Sequence, residues 1–470
     1  MTEPARPGAA LGLVGVGTMG AGLAQNFARA GFPVLAHDHD GARLRALAKQ
    51  VPGASIAADL KELVNGLKRP RAVLVMVNAG KPVDDVLAAL GALMQRGDLI
   101  IDGGNSHYRD TQRRGAVLAE KGIDYLGAGI SGGEEGARLG AAVMAGGDRA
   151  AFDRAAPMLT SIAARAGGDA CLGWFGPGGA GHFVKMVHNG IEYAVMQLIG
   201  EAWLVLRRVA GLSNARVGQH FARWNRGEAG SYLIEITSEL LAMKDSAAGK
   251  SLVDVIRDNA GQKGTGQWAA QAALELGVAA PTLAEAVFAR AISGVQGRGD
   301  TLKTSAPVKG KKARLAALVP VMGDALDAAI LCAYAQGFAL IEAVARAENW
   351  PCKTSEVARV WRAGCILRAK SLEPMRGALA AGPAVPGLLL TPTLAPRVGK
   401  GIGALRVVAS MAATGGVPIP CMASVLSWFD ALATPRLWTA LVQAQRDRFG
   451  QHGFERTDKP GRFHLDGSKA

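Results

Sequence analysis

The chain has 470 residues, 49% hydrophobic and 20% charged, with a formal net charge of +14. This balance excludes a disordered or collagen-like chain and allows two large domains with a sizeable core. The positive charge favours anionic partners, which as a class include nucleic acid, a membrane surface and phosphorylated metabolites.

Residues 7–28 are uncharged and imitate a signal anchor, but six glycines and the pair Gln25-Asn26 break the run, and Arg6 alone is a poor basic flank. A strand, loop and helix fit better: 11–15 reads as an apolar strand and 21–30 as a helix ended by Gly31. Further strands are expected at 33–36, 73–77 and 98–102, the last running into Gly103-Gly104-Asn105-Ser106. Strands alternating with helices predict a parallel sheet covered on both faces. Beyond Gly176-Pro177-Gly178-Gly179 strand-like runs nearly vanish and helical patterns dominate 181–433. The expected division is an α/β dinucleotide-binding domain at 1–178, an all-α domain at 179–434 and a tail at 435–470. The glycine- and proline-rich stretch 377–396 reads as a long surface connection. Tyr193-Ala194 and Glu201-Ala202 recur 141 residues later as Tyr334-Ala335 and Glu342-Ala343, and Trp224 resembles Trp361, which suggests a duplicated helical unit. The polar tail is too short to fold alone, so it is expected to be a disordered end or an arm packed on something else.

Five cysteines without a Cys-x-x-Cys spacing read as reduced, mostly buried thiols in a cytoplasmic protein. The eight histidines show no metal spacing, so no metal is expected. No convincing membrane segment and no aromatic-interleaved basic stripe for nucleic acid is found. Gly249-Lys250-Ser251 is not a P-loop, because the upstream glycine position holds Lys244 and no strand precedes it.

Gly15-Val16-Gly17-Thr18-Met19-Gly20 fits Gly-x-Gly-x-x-Gly. With 62 glycines, roughly one chance match is expected, so the pattern gains its weight from context. It follows a strand, opens a helix and precedes Asp38 by 18 residues, as a dinucleotide loop does. A carboxylate at Asp38 accepts hydrogen bonds from ribose hydroxyls and repels a 2′-phosphate, so His37-Asp38-His39-Asp40 favours NAD over NADP. Arg43 leaves a phosphate contact open.

The segment 181–193 carries a polar stripe. With Lys185 at zero on a helical wheel, His188, Asn189 and Glu192 fall at roughly −60°, +40° and −20°. Phe183, Val184, Met186, Val187 and Ile191 lie elsewhere, so the helix is expected to be buried with its stripe facing a polar cavity. A desolvated lysine there is a base near neutrality, and a desolvated carboxyl is an acid. Lys263, Arg290, Arg446 and His452 are further candidates for holding an anion.

These motifs, with Ile101 to Ser106, Ser131-Gly132-Gly133-Glu134-Glu135-Gly136-Ala137-Arg138, Ala260 to Gly266 and Gln443 to Gly450, resemble the decarboxylating 6-phosphogluconate dehydrogenase family of the pentose phosphate pathway over nearly the whole chain. The resemblance implies NAD(P)-linked oxidation of 6-phosphogluconate at C3, then loss of CO2 to give ribulose 5-phosphate. It implies Lys185 as general base and later acid, and Glu192 as general acid. For substrate it implies Asn105, Ser131, Gly132, Gly133, His188, Asn189 and Tyr193, with Lys263 and Arg290 on the phosphate. For the coenzyme it adds Val77, Asn78 and Asn105 to the glycine loop and Asp38-His39-Asp40. Arg446 and His452 match residues that a tail lends to a neighbouring subunit, implying a homodimer. The sequence departs from the pattern in three places: members using NADP usually show Asn-Arg-Ser/Thr at 38–40, a lysine common in the coenzyme cleft is Asn78, and Ala194-Val195 replaces a usual Gly-Asp. The first two remove positive charge, consistent with NAD. The alternative is a β-hydroxyacid dehydrogenase that does not decarboxylate; such proteins share the loop and lysine but are usually shorter and lack this tail.

Overall fold

The computed structural model describes residues 10–298, 312–382 and 387–469, the side chains of 312–316 excepted. Its first part is an eight-stranded sheet built from β1 (Leu11–Val14), β2 (Val34–His37), β3 (Ala54–Ile56), β4 (Ala72–Val75), β5 (Leu99–Asp102), β6 (Asp124–Ser131) and β7 (Ala142–Gly147), with a small hairpin β8 (Arg165–Ala166) and β9 (Asp169–Ala170) preceding its edge strand β10 (Leu172–Trp174). The strand order is β10-β7-β6-β5-β4-β1-β2-β3. Helices α1 (Thr18–Arg29), α2 (Gly41–Gln50), α3 (Leu60–Asn65), α4 (Lys81–Leu93), α5 (Tyr108–Glu120), α6 (Gly133–Leu139) and α7 (Arg149–Ile162) connect the strands. β1, β4 and β5 are short and, apart from Asp102, apolar, and all their residues but Ala72 are buried, as strands covered on both faces should be. Each face of the sheet closes its own core, one around Leu13, Leu74 and Ile101, the other around Val14, Val73 and Ile100.

The four expected strands lie within two residues of their predicted bounds. Helix α1 starts at Thr18, not 21, because Gly17 is its N-cap and the last glycine of the loop is already helical. Strands β3, β6, β7 and β10 were not anticipated. β6 (DYLGAGIS) and β7 (AVMAGG) are rich in glycine and alanine, which have poor strand propensity. β7 runs antiparallel to β6, so the sheet is mixed and not parallel throughout.

The remainder is helical: α8 (Ala180–Arg208), α9 (Asn214–Arg226), α10 (Tyr232–Ala242), α11 (Thr265–Glu275), α12 (Pro281–Ser293), α13 (Lys312–Ala347), α14 (Thr354–Val360), α15 (Leu372–Ala380), α16 (Ala395–Thr414), α17 (Pro420–Ala433) and α18 (Thr439–Gly450). The segment Ala317–Ala347 is long and apolar enough to cross a membrane, but it is mostly buried as the central core helix. Positions 141 residues beyond Lys185, His188, Asn189 and Glu192 are Leu326, Ala329, Ile330 and Ala333 in α13. The two long helices share a pattern, but only α8 carries the polar stripe. Glu201 of α8 accepts hydrogen bonds from the backbone of Cys421 (2.9 Å) and Met422 (2.8 Å), supplying the N-terminus of α17 with a cap from another helix. Burial pushes its carboxyl up to about 7 against those donors.

One expectation needs correction, and a second resolves between its alternatives. The stretch 377–396 is not one surface loop: α15 runs to Ala380, α16 begins at Ala395, and Leu388, Leu389 and Leu394 between them are buried; residues 383–386 lie outside the described residues. The tail does fold. After α18 a two-stranded ribbon pairs β11 (Phe454–Glu455) with β12 (Arg462–Phe463). Asp447 ties the arm together by accepting from Gly453 N (2.7 Å), His464 Nδ1 (2.8 Å) and Leu465 N (2.9 Å). Trp438, Leu441, Val442 and Phe449 of this arm are exposed.

Candidate active site

The loops after β1, β4 and β5 converge at the carboxyl end of the sheet, beside the point where strand order reverses between β1 and β4. Gly15 adopts φ +96°, and a side chain there would press on the Met76 carbonyl. Gly17, at the N-terminus of α1, faces open space apart from the Arg43 guanidinium, and no side chain caps the helix. The geometry fits a diphosphate on free N–H groups. Asp38 follows β2; Oδ2 accepts from Val16 N at 2.6 Å and Oδ1 from Asp40 N at 2.9 Å. Burial opposes its ionisation, but these two N–H donors prevail and hold the carboxyl below its usual range. Asp40 caps α2, His39 is exposed, and Arg43 pairs with Asp40 at 3.3 Å.

The neighbouring loops are braced from beneath. Asp102 accepts from Gly104 N (3.1 Å), Ser106 Oγ (2.5 Å) and Tyr125 OH (3.1 Å). Buried Arg114 of α5 donates to the Gly80 carbonyl (3.0 Å), Ser106 Oγ (3.1 Å) and Asp84 (2.8 Å). It thereby links the loop after β4 to the loop after β5.

Helix α8 lies across β6 in close register. Gly127, Gly129 and Ser131 point to one face of the strand. His182, Lys185 and His188 are three residues apart on the helix and meet them in the same order. A Cβ on Gly127 would stand 2.8 Å from His182 Nδ1, and one on Gly129 would collide with Lys185 Cβ and lie 2.7 Å from its Cγ. Ser131 Oγ accepts from Lys185 Nζ at 3.1 Å and stands 3.4 Å from His188 Nε2. Lys185 also donates to Asn189 Oδ1 at 2.8 Å, and His188 Nδ1 is 3.2 Å from that same oxygen. Asn189 Nδ2 donates to Thr265 Oγ1 at 2.8 Å. With Nδ1–H donating to Asn189 and Nε2 accepting from the serine, every partner in this ring is consistent with a neutral His188.

The electrostatics follow from burial. Desolvation pulls Lys185 below its ordinary range, partly opposed by Glu192. Burial beside the lysine drives His188 well down. Glu192 is raised by burial, with Lys185 and Arg290 pulling the other way. A lysine and a carboxyl on one helix face are thus moved toward each other's titration range, an arrangement suited to paired acid–base work. Beyond Glu192, Tyr193 lies under the Arg290 guanidinium, 3.4 Å from the ring centroid, and its hydroxyl accepts from Lys263 N at 3.4 Å. Arg290 also donates to the Gly261 carbonyl at 2.9 Å. This end of the site is cationic and lies beside the N-terminus of α11. Edge-on packing of His107 on Trp268 and an Arg109–Glu275 pair at 2.8 Å tie the α5 loop to that helix.

Comparison with known proteins decides the family. Residues 10–176 match the model of the NAD binding domain of 6-phosphogluconate dehydrogenase, and 181–467 match the model of its C-terminal domain. The chain is 42% identical over 466 residues, covering 98% of itself and 99% of the relative, to the NADP(+)-dependent, decarboxylating 6-phosphogluconate dehydrogenase of Bacillus subtilis (strain 168). It is 41% identical, with the same coverage, to the NAD(+)-dependent, decarboxylating one of that organism. A solved structure of Plasmodium falciparum 6-phosphogluconate dehydrogenase superposes with a TM-score of 0.92 at 35% identity, covering 97% of this chain and 99% of that one. The chain belongs to the 6-phosphogluconate dehydrogenase family.

In this family member the structure brings together Ser131, Lys185, His188 and Asn189 by hydrogen bonds, Glu192 and Tyr193 beside them, and Lys263 and Arg290 at the far end. Gly132 and Gly133 lead from Ser131 into α6. Val77, Asn78 and Asn105 lie on the loops after β4 and β5, both asparagines exposed. Arg446 bonds Gln443 and His452 packs on Phe449, both contacts within the arm. Ala194 and Val195 are buried in the helical core. Among the described residues no cluster of three or more His, Cys, Asp or Glu is placed to hold a metal. The sequence reading passed over Thr265, Arg114 and His182. Thr265 stands two residues after Lys263 in a segment already singled out. His182 falls at roughly +60° on the same wheel, within the polar face.

Proposed function

We propose that this chain converts 6-phosphogluconate and NAD(P)+ to ribulose 5-phosphate, CO2 and NAD(P)H. The observation that carries this reading is the buried Lys185, held by Ser131 and Asn189 on the same helix face as Glu192, in a chain similar end to end to decarboxylating dehydrogenases. NAD(P), held by the glycine loop, would supply the acceptor for the hydride leaving C3. Lys185 Nζ takes the C3 hydroxyl proton as the carbonyl forms. The β-keto acid loses CO2, and its electrons remain as an enediol while the lysine returns a proton to the carbonyl oxygen. Glu192 protonates the former C2, which becomes C1 of ribulose 5-phosphate. Ser131, His188 and Asn189 orient the sugar acid, and Lys263, Arg290 and Tyr193 form the anionic end. Simple β-hydroxyacid oxidation would use the same lysine but gives no role to the arm.

Gly15 to Gly20 hold the diphosphate, with Val77, Asn78 and Asn105 flanking the coenzyme and Asp38 at the adenosine ribose. The Asp38 carboxylate, fixed by Val16 and Asp40, supports a preference for NAD. With 6-phosphogluconate in excess, kcat/KM is expected to be at least about tenfold higher for NAD than for NADP, a difference of about 1.4 kcal/mol. Asp38→Asn should narrow the ratio; a wild-type enzyme preferring NADP would contradict the assignment.

The exposed apolar arm supports a homodimer in which Arg446 and His452 complete the partner's site. Arg446→Ala and Lys185→Met homodimers should each be nearly inactive. Mixed, refolded heterodimers should regain about one active site in two, because one site then holds an intact lysine and an intact arm. Mixing without recovery would contradict tail exchange. This division gives 1–178 to the coenzyme, 179–434 to substrate and dimerisation and 435–470 to the partner; the free, mostly buried thiols support a cytoplasmic enzyme.

A further inference from the structure

Arg114 is a buried cation to which the proposed chemistry gives no task. Its side chain, on α5, is only 2% exposed. The fork reaches three groups at once: Nη2 donates to the Gly80 carbonyl (3.0 Å), Nη1 to Ser106 Oγ (3.1 Å) and Nε to Asp84 Oδ1 (2.8 Å). Gly80 closes the loop after β4 as the N-cap of α4, and Ser106 belongs to the loop after β5. At their base the two loops are joined by one backbone bond, Gly103 N to the Val75 carbonyl at 2.9 Å. Beyond that bond, the hydrogen-bonded link between them among the described residues runs through Arg114. Ser106 extends the link, since its hydroxyl donates to Asp102 Oδ2, an oxygen 3.8 Å from Arg114 Nη1. The guanidinium therefore also answers the buried charge of Asp102.

Strand order says what these loops are for. Asp38, assigned to the adenosine ribose, follows β2, whereas the stem of Lys185 rests on Gly129 of β6. The strands between run β6-β5-β4-β1-β2. A dinucleotide held at Asp38 and oxidising a substrate at Lys185 must therefore pass the loops after β4 and β5 with its nicotinamide half. Val77, Asn78 and Asn105 stand on the two loops that the guanidinium joins. A planar fork with donors on three nitrogens can hold two loops at a fixed spacing, which the single nitrogen of a lysine cannot.

Resting on the functional reading above, we infer that Arg114 is a positioning residue: by bridging the Gly80 carbonyl and Ser106 Oγ it sets the spacing of the loops after β4 and β5, and with it the seat of the nicotinamide half of the coenzyme. The glycine loop and Asp38 lie on other elements. Loss of the bridge should therefore weaken ligands that carry nicotinamide and spare ADP-ribose, which keeps the adenosine and diphosphate but lacks that ring.

Arg114→Lys keeps a charge beside Asp84 and Asp102 but loses the fork. It is expected to lower kcat/KM for NAD about 100-fold, the scale of a misplacement of about 1 Å, and to raise the isotope effect from C3-deuterated 6-phosphogluconate. By calorimetry, NADH should bind it at least about tenfold more weakly than wild type, and ADP-ribose within about twofold. Ser106→Ala cuts only the β5 side of the bridge and should give the same pattern at about tenfold in kcat/KM; it decides the matter if the lysine variant does not fold. Arg113→Ala is the control. Arg113 also pairs with Asp84, at 2.9 Å, but it is exposed and its other bond is to Asp110, so its loss should leave NADH and ADP-ribose binding within about twofold. Wild-type NADH binding in a folded Arg114→Lys or in Ser106→Ala overturns the inference. Equal weakening of NADH and ADP-ribose also overturns it, because the arginine would then be a general support of the domain. The binding measurements need no turnover. A wild type that binds NADH but leaves 6-phosphogluconate unreacted defeats the functional reading, whereas an active wild type whose bridge variants bind NADH normally defeats this inference alone.

Discussion

Lys185→Met should lower kcat with 6-phosphogluconate by about 10³-fold or more, within the range expected when a positioned general base is removed. The loss is expected in turnover and not in folding, because methionine keeps the apolar stem and removes a charge that burial already disfavours. Coenzyme affinity, measured by quenching or calorimetry, should remain within about twofold, since Asp38 and the glycine loop are on other elements. The wild-type pH profile carries the same signature. The starting complex needs Lys185 unprotonated and Glu192 protonated, so activity should fall as pH drops through the lowered lysine value. It should also fall as pH rises through the raised carboxyl value. Turnover surviving in Lys185→Met would remove the lysine from the chemistry.

Gly129→Ala should be nearly as damaging from a residue that contacts no substrate. Its new Cβ would occupy the place of the Lys185 stem, and the surrounding strand and helix are buried. Either the lysine leaves its seat between Ser131 and Asn189, or α8 lifts from β6. Both displace Nζ by a distance that costs about 100-fold in kcat, and the overpacking destabilises by about 1–3 kcal/mol. The two effects separate by measuring kcat and thermal melting on the same protein. A variant with wild-type kcat would contradict the register in which 127, 129 and 131 meet 182, 185 and 188.

This register explains what was legible in the sequence and what was not. Helical period and polarity alone aligned Lys185, His188, Asn189 and Glu192, because a helix face is a local property. The strand beneath was invisible, since DYLGAGIS has the composition of a loop. Its glycines are there for the helix's side chains, a relation between residues more than 50 positions apart. The same cause hid β7 and the antiparallel turn of the sheet. Asp38 was readable because the loop-to-carboxylate spacing is local, whereas Arg114 looked like one cation among many until the fold joined it to Gly80 and Ser106. The tail was left open between a disordered end and an arm, because the arm's order rests on one carboxylate, Asp447, gathering three donors from beyond α18.

The most direct test of the whole account is the stoichiometry of CO2 release. Purified enzyme given 6-phosphogluconate labelled at C1 and either NAD or NADP should release one labelled CO2 for each reduced coenzyme formed, and the sugar product should be ribulose 5-phosphate. Reduced coenzyme accumulating without matching CO2, or no reduction at all, would contradict it.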